Sequence, residues 1–134
     1  MSKLVLYYSL TGNAAKAAQA FSKSEGSDIS EVKPAGKIGK FKAYTLGCFK
    51  AIRGKSMAIA PLDIRTEEYD EVDVFTPIWA DSIAPPMLAA LEQLPKGTKV
   101  RLHLVSASGN SGREKNSAKL ESLGLKVAGY QDIK

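Results

Sequence analysis

The chain has 134 residues, 44% hydrophobic and 25% charged, which is ordinary globular composition and enough for one domain with one core. One cysteine, Cys48, excludes an intrachain disulfide and a thiolate cluster, and one histidine, His103, removes most metal sites and most histidine-based catalysis. The net charge of +5 favours anionic ligands or partners without choosing between phosphate, nucleic acid and acidic protein.

In chain order, Lys3–Tyr8 (KLVLYY) is a near-continuous β-type run, the pattern of a strand covered on both faces inside a parallel sheet. Its apolar part, Leu4–Tyr8, is too short for a signal peptide or a membrane span, so a cytoplasmic protein with no membrane partner is expected. After the short loop Ser9–Asn13, residues Ala14, Ala17, Ala18 and Phe21 recur at helical spacing, and Gly26 marks the end of that helix. A short strand is expected near Ile29–Lys33, closed by Pro34. Residues Ala35–Ala60 carry Lys37, Lys40, Lys42, Lys50, Arg53 and Lys55 and no acid, while Ile38, Phe41, Thr45, Cys48 and Ile52 follow a helical period. That predicts a basic amphipathic helix, read either as a solvated helix on the sheet or as a basic rim for an anionic ligand or docking partner. The basic residues gather in this one segment without exposed aromatics interleaved at a groove, so nucleic acid is not an expected partner.

A third strand, Glu71–Thr76, leads into PIWADSIAPP and a helix over Met87–Leu94. A fourth, Val100–Ser106, leads into ASGNSGREK and a helix ending near Gly124, and a last strand runs from Leu125. Strands alternating with helices define an α/β domain with a mainly parallel sheet, here a single domain over residues 1–134. Three small-residue loops, Ser9–Asn13, Pro77–Pro86 and Ala107–Gly112, each follow a strand, and in an open parallel sheet that edge is where ligands bind.

With Ala14 opening the helix, the backbone N–H groups of residues 11 to 14 have no intrahelical partner, and with the helix dipole they form an anion site. Ser9 and Thr11 add hydroxyl donors, and Gly12 lets the backbone come close to a ligand. Hydrogen bonds to a charged group are worth about 1.5–3 kcal/mol each. Four or five of them hold a phosphate at roughly micromolar affinity. Ser, Thr and Asn are also the preferred helix caps, so the loop alone leaves capping and phosphate binding open. The loop lacks both the Walker and the dinucleotide patterns, with Ala14 and Ala15 where a phosphate Lys and a magnesium-binding hydroxyl would stand. A monophosphate held without metal fits better. Trp79, the one tryptophan, stands at the sheet edge before Asp81, Ser82, Pro85 and Pro86, where an indole stacks on a flat ring or simply packs.

SLTGN after strand one, TPIWADSIAPP after strand three and SASGNSG after strand four resemble the loops of the flavodoxin-like FMN-binding proteins. The likeness is strongest to short flavodoxin-domain proteins with a basic segment before strand three, and it covers nearly the whole chain. It implies a three-layer flavodoxin-like sandwich around a five-stranded parallel sheet of order 2-1-3-4-5. It also implies FMN as cofactor. Ser9, Leu10, Thr11, Gly12, Asn13 and Ala14 would form the phosphate loop. Pro77, Ile78, Trp79 and Ala80 would flank the isoalloxazine, and Ser106, Ala107, Ser108, Gly109 and Gly112 would meet its pyrimidine edge. Electron transfer through a non-covalent flavin is the implied function. The alternatives are an FMN-dependent NAD(P)H oxidoreductase and a flavin-free phosphate-loop module. Ala14 stands where flavodoxins often carry Thr, one hydroxyl fewer, and Ala80 and Asp81 follow the Trp where many place a Gly. Electron-carrying flavodoxins are acidic, so this basic chain is expected to use an acidic redox partner or a small-molecule acceptor.

A flavodoxin usually has a fifth helix after its fifth strand, and this sequence has none there. Val72 and Val74 alternate with Glu71 and Asp73, and Leu102 and Leu104 with Arg101 and His103, the pattern of strands with one wet face. The expectation is a sheet face left bare over strands three to five, open to water or meeting a second copy in a homodimer, with His103 on the surface and without a catalytic role.

Overall fold

A computed structural model describes residues 3–8, 12–33, 59, 69–79, 82–105 and 113–133. The elements are β1 (Lys3–Tyr7), α1 (Asn13–Glu25), β2 (Asp28–Glu31), β3 (Glu71–Trp79), β4 (Ser82–Ile83), α2 (Pro85–Glu92), β5 (Lys99–Val105), α3 (Arg113–Ser122) and β6 (Lys126–Ile133). The sheet runs β2-β1-β3-β5-β6 with every neighbour on that path parallel, and β4 folds back antiparallel onto the end of β3. Without that hairpin the order is 2-1-3-4-5, the flavodoxin-like α/β fold expected. The basic segment expected to be helical lies outside the described residues, apart from Ile59, which packs on the core.

Alternation along the strands builds the larger core. Leu4, Leu6, Val72, Val74, Val100, Leu102 and Leu104 are all 0% exposed and project to one face. Each such side chain contributes about 1.5–3 kcal/mol by leaving water. Met87, Ala90 and Leu91 of α2 and Leu120 of α3 close over them. Pro85 and Pro86 open α2, where a missing N–H costs the helix nothing.

On the opposite face α1 lies against β1 and β3. Its buried residues, Ala14, Ala18 and Ser22, stand four apart and are all small, so the helix backbone sits close to the sheet. Gly26 ends α1 in the left-handed conformation, φ 66°, and returns its N–H to the Ser22 carbonyl.

That face is not bare where the alternation implied it. Asp73 and Phe75 are each 2% exposed and His103 is 8% exposed, so His103 is a buried residue and not a surface one. Its Nε2 lies 2.9 Å from Asp73 Oδ1 and its Nδ1 2.7 Å from Gln131 Oε1. The imidazole stacks on the Phe75 ring at 4.2 Å and 3°. Phe21 of α1 covers both rings, 5.5 Å from Phe75 and 5.2 Å from His103. Alternation predicts wetness only when nothing stands over the strand. Here hydrogen bonds satisfy the polar groups and a neighbouring aromatic excludes the water.

Beyond Phe21 the face opens. Lys99, Arg101 and Gln131 are exposed, and the Arg101 stem lies over Gly129, its Cγ 3.3 Å from where a Gly129 Cβ would stand. A long aliphatic stem of this kind shields apolar surface while its charge stays in water. Gly129→Ala is therefore expected to displace only a flexible stem and to change stability by no more than about 0.5 kcal/mol, measured by urea unfolding. A loss above about 2 kcal/mol would mean the arginine is rigidly held.

Candidate functional site

The order β2-β1-β3 reverses direction at β1, and in an open α/β sheet the carboxyl edge at such a reversal is where ligands bind. The end of β1 is tied to both neighbours: the Tyr8 N–H donates to the Phe75 carbonyl of β3 at 3.0 Å, and the Val32 N–H, just after β2, donates to the Tyr7 carbonyl at 2.7 Å. Tyr8 is 4% exposed and part of the larger core, and burial pushes its phenol above the ordinary 10.0. It buttresses the edge and does not stand over it.

Helix α1 opens at Asn13, one residue earlier than expected, with Gly12 as its N-cap at φ 98°, ψ −10°. The cap makes no side-chain hydrogen bond, and no acid stands in the first turn. The intrahelical ladder begins with the Lys16 N–H to the Gly12 carbonyl at 3.0 Å, so it supplies no partner to the amides of residues 13 to 15. Asn13 is the first helical residue and so is not the side-chain cap that the capping reading needed. The Ala14 methyl is 3% exposed and turned to the sheet, which accounts for a small residue at that position. A helix start with a left-handed glycine, no acid and the positive end of its dipole at the carboxyl edge of the sheet attracts an anion.

The second wall is the end of β3. The strand runs three residues past the expected Thr76, and Ile78 pairs with Ile83 and Trp79 with Ser82 in a hairpin. Pro77 and Ile78 are half-buried. The Pro77 carbonyl accepts from the Ala84 N–H at 3.3 Å and from the Thr76 hydroxyl at 3.1 Å. The backbone of Trp79 therefore stands at the carboxyl edge, beside the strand that feeds α1.

Of the site residues expected from the sequence, Gly12, Asn13, Ala14, Pro77, Ile78 and the Trp79 backbone are brought to one edge of the sheet. Ser9, Leu10, Thr11, Ala80, Ser106, Ala107, Ser108, Gly109 and Gly112 lie outside the described residues. Asn116 was not anticipated. It is 2% exposed, and its Oδ1 accepts from the Ile83 N–H at 3.1 Å, joining α3 to the hairpin. The signal for it was present: Asn116 stands four residues before Leu120, on the same face of its helix. Among the described residues, no group of three His, Cys, Asp or Glu is placed to hold a metal ion. No helix there is long and apolar enough to cross a membrane.

Sheet order and helix placement together define a flavodoxin-like architecture, and solved structures carry the same fold. A flavoprotein of Lactobacillus acidophilus, in complex with FMN, matches with a TM-score of 0.75 at 23% identity, over 96% of this chain and 91% of that one. A flavodoxin from the domain Archaea matches at 0.59 and 14% identity, over 98% and 82%. Oxidised flavodoxin 2 of Bacillus cereus matches at 0.54 and 14%, over 98% and 86%. No protein-family model and no curated protein sequence matches the chain.

Proposed function

We propose that the protein binds FMN non-covalently at the carboxyl edge of the sheet and transfers electrons through it. The observation that carries the reading is the start of α1: a left-handed Gly12 cap without a side-chain bond or a first-turn acid, at the point where the strand order reverses. These features suit a phosphate monoester. The FMN-bound Lactobacillus acidophilus flavoprotein of the same fold supports the choice of ligand.

In this reading the backbone amides at the start of α1 hold the phosphate, with Ser9 and Thr11 adding hydroxyls. The half-buried Pro77 and Ile78 and the backbone at Trp79 form an apolar wall for the ring system. Residues 106–109 and Gly112 meet its polar edge. The flavin supplies the redox chemistry when bound, and the protein binds, orients and excludes water. The net charge of +5 suits an acidic redox partner, and a cytoplasmic location belongs to the same reading.

Titrating the purified protein with FMN is expected to give saturable binding at micromolar concentration or below, with Trp79 emission quenched. Stepwise chemical reduction then separates an electron carrier from an NAD(P)H oxidoreductase. Reduction in two resolved one-electron steps, with slow oxidation of added NAD(P)H, supports the carrier. Rapid NAD(P)H oxidation supports the oxidoreductase. A protein that ignores FMN leaves a phosphate-loop module with another ligand.

A further inference from the structure

The buried Asn116 has a role that the carboxyl edge of the sheet alone does not explain. The hairpin β3–β4 carries the backbone of Trp79, and α3 is the helix entered directly from residues 106–112. The hairpin and the start of α3 are both described elements, and they border the edge at which the flavin is proposed to sit. A buried hydrogen bond joins them, from the Ile83 N–H to Asn116 Oδ1, at 3.1 Å and across 33 positions of sequence. The donor is a backbone N–H, so the amide orientation is settled: the oxygen must face Ile83. Ile83 is 3% exposed and pairs with Ile78, so the bond acts on the hairpin through its own ladder. At a buried helix position a leucine would serve packing better. A buried asparagine is tolerated there because it answers a backbone donor that would otherwise be orphaned.

We propose that Asn116 is a positioning residue that sets the spacing between the Trp79 hairpin and the start of α3, and thereby the width of the flavin seat. It touches no ligand; it acts through Ile83. The proposal rests on the FMN reading for its functional consequence, and on the hydrogen bond alone for its structural one.

Asn116→Leu keeps the branched shape and removes the acceptor. Asn116→Asp keeps an acceptor oxygen, in the first turn of a helix where a carboxylate is favoured. Leu125→Ala, in the core at the opposite end of the sheet, serves as a destabilised control. Asn116→Leu is expected to weaken FMN binding about tenfold or more and to shift Trp79 emission in the flavin-free protein, since an orphaned buried amide makes the hairpin move. Asn116→Asp is expected to lose less FMN affinity than Asn116→Leu, because its acceptor oxygen still answers the Ile83 amide. Leu125→Ala should lower the melting temperature and leave both readouts unchanged. Unchanged affinity and emission in Asn116→Leu, or equal losses in Leu125→Ala, would overturn the proposal. So would losses in Asn116→Asp as large as those in Asn116→Leu for both readouts. If the original protein ignores FMN, the functional reading fails, and the emission comparison alone still decides the clamp.

Discussion

Replacing His103 by alanine is expected to destabilise the fold by about 3–5 kcal/mol, the cost of leaving a buried charged partner unpaired. Asp73 is 2% exposed, and its Oδ1 has the His103 Nε2 at 2.9 Å. Without the imidazole, that carboxylate keeps its burial and loses its donor, while Phe75 loses a ring stacked at 4.2 Å. A histidine on an open sheet face would behave differently, because surface substitutions usually stay within about 0.5 kcal/mol. The double substitution Asp73→Val with His103→Leu is expected to recover most of the loss, since the gap then holds apolar groups and no orphaned charge. Guanidinium unfolding with an unchanged m-value is the measurement. A loss below about 1 kcal/mol in His103→Ala would show that the pair is solvated despite its burial.

Gly12→Val is the second large effect, and it falls on binding more than on folding. At φ 98° a β-branched residue is strained by about 1–3 kcal/mol, although a Cβ there meets no atom within 4 Å. The strain is relieved by turning the peptide at the helix start, which moves the amides proposed to hold the phosphate. Misplacing one or two charge-assisted hydrogen bonds lowers FMN affinity about 100-fold. Gly12→Asn is expected to stay much closer to the original protein, since Asn tolerates the left-handed region. FMN titration of the two variants checks this. Equal affinity for Gly12→Val and the unaltered chain would mean that the α1 start does not contact the ligand.

The two cases show where side-chain pattern stops informing. Val72, Val74, Leu102 and Leu104 were legible as a core because apolar alternation has one outcome in a sheet. Asp73, Phe75 and His103 form the complementary pattern on the same strands, with Gln131 beside them on β6. Whether that pattern is wet depends on Phe21, which comes from a helix about 50 residues upstream of Asp73 in sequence. Helical spacing to Leu120 marks the position of Asn116 but not its partner, which is a backbone amide and leaves no mark in a sequence.

The residues by themselves determined the alternation of strands and helices, the near-continuous burial of β1, the glycine that ends α1 and the small, acid-free start of that helix. These are local consequences of side-chain period, backbone freedom and charge, and they hold whatever the rest of the chain does. The tertiary structure alone decided that the Asp73–His103 pair is buried, that β3 continues through Trp79 into a hairpin, and that Asn116 fastens the hairpin to α3. Each of those depends on groups far apart in sequence meeting at contact distance. At that range burial and hydrogen-bond satisfaction are set by the neighbour, not by the residue.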